Sequence, residues 1–140
     1  MSKLQVGKLS LQCSMDVIKK AIKNIITEKC SECAKHIKVS DKTDLEIRSV
    51  NMDDNPGKFD IVILKEAGIS HADIGIKREA NNSWTLKGDD YKIRAFQAKI
   101  VQEVFAMRTR AIAELKNLEI VKDEMDGLVK VITIRKKIEN

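Results

Sequence analysis

The chain has 140 residues, 43% of them apolar and 34% charged, which fits one ordinary soluble globular domain with a single core of two packed layers and argues against a second domain. No run approaches the roughly 18 apolar residues of a membrane span, and Met1-Ser2-Lys3-Leu4 leads into alternating residues where a signal peptide would have an apolar core. The expectation is therefore a soluble cytoplasmic protein, neither secreted nor in a membrane. The net charge of +5 is unevenly spread, with eight lysines against three acids over residues 1–40, seven bases against eleven acids over 41–90, six bases against two acids over 91–118, and balance over 119–140. Such a distribution sets long-range attraction of partners and says nothing of fold.

Residues 4–13 alternate at Leu9, Leu11 and Cys13, predicting a strand whose phase slip at Gly7-Lys8 marks a bulge or a late start. Ser14 then stands where an N-cap accepts a backbone hydrogen bond, with Asp16 favourable in the first turn. Ile18, Ala21, Ile22, Ile25 and Ile26 form the buried stripe of a first helix, with Lys19, Lys20 and Lys23 on its outer side. A charge at Lys29 would land back on that stripe, so the helix ends near there. Residues 30–43 carry no readable pattern.

Residues 44–50 alternate as a half-exposed strand does, with Leu45 and Ile47 on one face and Glu46 and Arg48 on the other. A turn is expected at Asp53-Asp54-Asn55-Pro56-Gly57. Residues 59–64 are apolar on both faces and read as a central strand, and 73–77 with 83–87 predict a hairpin around Glu79-Ala80-Asn81-Asn82. Gly88-Asp89-Asp90 follows, placing an acid to cap the next helix.

That helix, over residues 91–118, is the longest signal in the chain. Ile93, Phe96, Ile100, Val104, Met107, Ala111, Leu115 and Leu118 recur in steps of three and four, a rod of about 42 Å at the usual rise. One stripe of it must be covered, most simply by a sheet built from the flanking strands. Residues 119–125 and 128–138 then form a hairpin around Asp126-Gly127, a preferred type I′ pair. The order strand, helix, two strands, hairpin, helix, hairpin predicts an α+β fold, with a largely antiparallel sheet covered on one face by two helices, in a ferredoxin-like or related split β-α-β arrangement.

Several short pieces in this order match a known pattern. They are Met1-Ser2-Lys3-Leu4 with a strand leading into Val17-Ile18-Lys19-Lys20-Ala21-Ile22, then Lys42-Thr43-Asp44-Leu45-Glu46-Ile47-Arg48, Asp73-Ile74-Gly75-Ile76-Lys77-Arg78, Ser83-Trp84-Thr85-Leu86, and the run from Ile120 through Asp126-Gly127 to Ile134-Arg135. On them the sequence resembles the domain of unknown function twelve fifty-seven family, the hypothetical chloroplast reading frame thirty-five proteins of plastids, cyanobacteria, other bacteria and their phages. The resemblance spans nearly the whole chain and implies a fold, with no established activity attached.

Cys30-Ser31-Glu32-Cys33 with His36 has the spacing of half a zinc site, and Cys13 is the donor that would help complete it. Zinc sites usually show two paired halves, and Cys33 after a helix can serve as a small buried hydrophobe, so no metal and no cofactor is expected. Three cysteines, an odd number, argue against a disulfide framework and for a reducing compartment. A thioredoxin-like role needs the pair at a helix N-terminus, and here it follows the helix. The two histidines, His36 and His71, lack a nucleophile setting. Ser70 beside His71 reads as a loop with a surface histidine. Asp53-Asp54 and Asp89-Asp90 would hold a divalent ion only if their turns converged, and read first as solvated turns. No catalytic constellation stands out, and no phosphate-binding glycine loop is present.

Two binding readings remain. Arg108 projects close to the apolar stripe among Val104, Phe105, Ala111 and Ile112. Phe105 and Ile112 widen that side beyond what one sheet face needs, as on a surface that meets another chain or a second copy. The bland counterpart is an arginine snorkelling over a broad core. The alternative is an accessory protein that binds nucleic acid through Lys19, Lys20, Lys23, Lys99 and Arg110, outward on two helices whose groove would contact phosphates. Glu103 and Glu114, four residues after Lys99 and Arg110, blunt that field, and stacking aromatics are few. The sequence thus favours a non-enzymatic protein-binding domain over a nucleic-acid-binding one.

Overall fold

A computed structural model describes residues 5–9, 12–48, 56–88, 92–115, 118–126 and 129–136, the last two segments as backbone only. Strands β1 (Gln5–Leu9), β2 (Ile37–Val39), β3 (Ile61–Ile63), β4 (Ile74–Arg78) and β5 (Trp84–Gly88) form one sheet in the order β1-β5-β4-β3-β2. Every neighbouring pair is antiparallel, so β1 and β2 run the same way at opposite edges. Helix α1 (Met15–Lys29) carries the chain across the three strands between them, a β-α-β unit split by a hairpin and a third strand. Helix α2 (Ile93–Leu115) follows β5 and runs antiparallel to α1, with Asn24 meeting Glu103 in the middle of the pair.

The alternation of apolar residues explains which sheet face the helices cover. Leu9, Trp84, Leu86, Ile74, Ile76, Ile61 and Ile63 all point to one side and are at most 3% exposed, and the register sets Ile61, Ile76 and Leu86 in one row across three strands. Ile18, Ala21, Ile22, Ile25 and Ile26 of α1 close over this face as their spacing predicts, joined by Ile93, Phe96, Ile100 and Val104 of α2. Burial of each such aliphatic side chain contributes about 1.5–3 kcal/mol. Ser14 caps α1, its hydroxyl accepting from the Val17 N–H at 3.3 Å.

On the opposite face Phe59, 1% exposed, lies flat on Gly75, where an added Cβ would come within 2.6 Å of the ring. Gly75→Ala is expected to lift the ring from its seat and cost about 1–3 kcal/mol. A lower denaturant midpoint at unchanged slope would show it, and an unshifted midpoint would mean the ring relocates freely.

The structure departs from the sequence reading in four places. The strand expected over residues 44–50 reduces to one bridge, Leu45 with Phe59, residues 49 and 50 lying outside the described residues. Its backbone is diverted locally, because the Arg48 N–H donates to the Asp73 carboxylate at 2.9 Å and not to a strand. The unreadable stretch 30–43 contains a 3₁₀ turn, Cys33–His36, and the edge strand β2. Helix α2 stops at Leu115, because Leu118 already belongs to β6 (Leu118–Asp126). That strand and β7 (Val129–Lys136) form a separate two-stranded sheet beside α2, closing at Asp126 opposite Val129, one residue beyond the turn pair expected. The capping acid and the turn acids Asp53, Asp54, Asp89 and Asp90 lie outside the described residues. Among the described residues, no helix is long and apolar enough to cross a membrane.

Candidate functional site

Helix α2 leaves the core along its second half. Its stripe is buried through Val104 and half-buried at Met107, but Ala111 is exposed and Leu115 is 86% exposed. Phe105 and Ile112 are 53% and 50% exposed. Positions 105, 108, 112 and 115 follow one another by three and four residues and so share a helix face, on which a row of large apolar side chains meets water. Arg108 stands in this row. Its guanidinium lies 5.8 Å from the centre of the Phe105 ring, within cation–π range, and its Nη2 donates to the Gln12 carbonyl at 2.6 Å. The guanidinium is thus held by two contacts, and the one with Gln12 joins α2 to the segment that starts α1.

The five basic candidates for a polyanion track fall in three places. Lys20 and Arg110 line a groove of about 510 Å³ between the helices, together with Asp16 and Glu114. At the groove's inner end Glu103, 4% exposed, accepts from Asn24 Nδ2 at 3.2 Å and faces Arg110 Nη1 at 3.5 Å. Arg110 is therefore turned inward to a carboxylate, and Glu103, expected on the outer side as a partner of Lys99, is a buried tie between the helices. Lys19 and Lys23 lie on the other flank of α1, over β2. Lys99 sits beside Lys29, and burial first, then that neighbouring ammonium, holds its pKa below the ordinary lysine value.

Cys13 does not join the other two cysteines. Cys30 and Cys33, read from sequence as thiols open to a metal or to burial, are joined in a disulfide, since the turn after α1 brings their Cα atoms to 5.3 Å, inside the usual range. Cys33 is only half-buried, at the edge of the core. Cys13 precedes the 15-residue helix α1 and Cys30 follows it, which puts them about 22 Å apart. Cys13 is buried, and burial raises its pKa against the opposing charge of Arg108. His36 closes the 3₁₀ turn and its carbonyl accepts from the Leu64 N–H. Among the described residues, no group of His, Cys, Asp and Glu is arranged to hold a metal ion. Ser70 is buried, with its hydroxyl accepting from the Ala72 N–H, while His71 is exposed.

Sequence reasoning missed the strongest electrostatic assembly. Asp73, 2% exposed, accepts from the backbone N–H groups of Arg48 and Lys65 and from the Arg48 guanidinium at 2.7 and 2.9 Å. Arg48 also grips Glu66 with both terminal nitrogens. Burial pushes the Asp73 carboxyl up, but these donors outweigh it and hold the group below the ordinary aspartate value. Only the alternation in residues 44–50, which aims Arg48 away from Leu45, hinted at it.

Fold and surface together define an α+β domain with a five-stranded antiparallel sheet and two helices, one of which presents a partly uncovered apolar face. Against family models, curated proteins and solved structures, the chain finds no match.

Proposed function

We propose that this chain is a non-enzymatic binding domain that docks another protein, or a second copy of itself, on the α2 face formed by Phe105, Arg108 and Ile112 and extended by Leu115. The carrying observation is the exposure of three large apolar side chains in one row around an arginine pinned by Phe105 and Gln12. Aromatic, aliphatic and arginine side chains of this kind are enriched at interface centres. The basic residues support a nucleic-acid partner less well, since Arg110 is committed to Glu103 and the lysines are divided among three places. The resemblance to the plastid and bacterial family adds a fold expectation and no activity.

The test is recovery of tagged protein from its native host at low and high salt, beside the double variant Phe105→Ser and Ile112→Ser, with sizing across concentration for self-association. A partner or dimer that persists at high salt and is lost in the variant is the expected result. Recovery unchanged by the variant, a monomer with no partner, or nucleic acid released by salt would each overturn the reading.

A further inference from the structure

The edge of the sheet farthest from β1 offers a second and different surface. The Ser40 N–H donates to the Asp60 carbonyl at 2.8 Å and the Leu64 N–H to the His36 carbonyl at 3.0 Å. Residues 36, 38 and 40 therefore turn their backbone groups to β3, and residues 37 and 39 turn theirs outward. The Ile37 N–H is taken by the Ala34 carbonyl. What remains on the open side is the Ile37 carbonyl and both backbone groups of Val39, and among the described residues no strand pairs there.

Beside this edge runs a groove of about 280 Å³ lined by Ala34, Ile37 and Val39 below and by Lys19 and Lys23 of α1 above. Val39 is 42% exposed. Among the described residues no carboxylate lines the groove; Glu32 and Asp41, exposed nearby in sequence, are not among its walls. Lys38 is exposed and points to the opposite face of β2.

We propose that the outer edge of β2 binds an extended, glutamate-bearing peptide segment of a partner protein, which adds to the sheet as a sixth strand. Strand addition takes its affinity from backbone hydrogen bonds and its specificity from alternate side chains. A glutamate on the helix side matches both halves of the groove, its methylenes over Ala34, Ile37 and Val39 and its carboxylate at Lys19 and Lys23. Two of the three outward backbone groups are carbonyls, which repel phosphate oxygens and accept from peptide N–H groups, so a peptide fits better than a nucleic acid. A second copy is disfavoured because facing edges would crowd Lys19, Lys23 and Lys38 of both chains.

The experiment is fluorescence anisotropy with a labelled peptide of alternating glutamate and valine, compared with its glutamine counterpart and with a proline-interrupted version. The glutamate peptide should bind, weaken with salt, and lose roughly tenfold or more against Lys19→Glu with Lys23→Glu, a change of two rim charges. It should also weaken against Val39→Pro, which removes only an outward N–H, while Lys77→Glu, on the far sheet face, should leave it unchanged. Circular dichroism and melting confirm that each variant folds, and the surface-charge pair stands if Val39→Pro does not. Equal binding of the glutamine peptide, binding untouched by the lysine reversal, displacement by a short oligonucleotide, or a dimer in sizing that Val39→Pro dissociates would each overturn the proposal. None of these results bears on the α2 face, whose own variants lie on another element.

Discussion

Trp84→Ala is expected to lower stability by about 3–5 kcal/mol, the range for deleting a buried aromatic side chain. Trp84 is 1% exposed and is the largest of the fully buried side chains. Its effect extends beyond the void it would leave, because its indole Nε1 donates to the Cys13 carbonyl at 2.9 Å. Residues 12–14 are gripped from several sides: Arg108 of α2 holds the Gln12 carbonyl, the Cys13 N–H donates to the Asn82 carbonyl, and Ser14 caps α1. Losing the tryptophan loosens the junction where the sheet, α1 and the exposed face of α2 come together. Trp84→Phe separates the two contributions, since it keeps most of the apolar area and removes the donor, and should cost about 1 kcal/mol from the hydrogen bond with a smaller packing loss. Urea unfolding followed by circular dichroism measures both, as neither variant retains a tryptophan. Equal losses in the two variants would show that the Cys13 bond, and not the volume, carries the effect.

In α1 and the β4–β5 hairpin one periodicity governed the segment, and residues alone sufficed to place it. The α1 stripe, its Ser14 cap and its end at Lys29 follow directly from spacing and capping chemistry, as does the β4–β5 hairpin, whose turn seats Asn81 and Asn82 at positive φ, where asparagine is tolerated. Strand β2 escaped because three residues are too few for a period and because a 3₁₀ turn precedes it. Residues 44–48 misled for the reverse reason. Their alternation is real, but Ser40, Lys58 and Asp73 draw Asp44, Glu46 and Arg48 into side-chain contacts that replace a ladder. The same limit applies to the candidate surface. Sequence showed that Phe105, Arg108 and Ile112 overfill the α2 stripe, yet only the fold shows that Ala111 and Leu115 also lie open and that Glu103 turns inward to Asn24 and Arg110. Which side of a wide stripe faces water depends on where the neighbouring elements sit, and no residue on α2 records that.

Asp73→Asn is expected to cost about 2–4 kcal/mol at neutral pH, from buried donors left without an acceptor and an ion pair broken at its buried end. The carboxylate serves Arg48 N–H, Lys65 N–H and the Arg48 guanidinium at once, and an amide would turn its own NH₂ toward one of these donors. The arginine itself is largely exposed, at 56%, so the effect comes from the aspartate end. Because the folded-state pKa of Asp73 lies below its ordinary value, its contribution is fully present above the unfolded value of about 3.9 and is lost as pH falls through the folded value. The gap in unfolding free energy between wild type and Asp73→Asn should thus be flat from neutral pH down to about pH 4 and narrow in more acid solution. Glu66, whose pKa is lowered first by the hydrogen bond from Arg48, titrates in both proteins and cancels from the comparison only while Arg48 keeps its hold on it, so a Glu66→Gln background provides the clean version. Denaturant midpoints measured from pH 7 to pH 2 decide the matter, and a gap that stays constant throughout would mean that Asp73 acts by shape alone, with its charge contributing nothing.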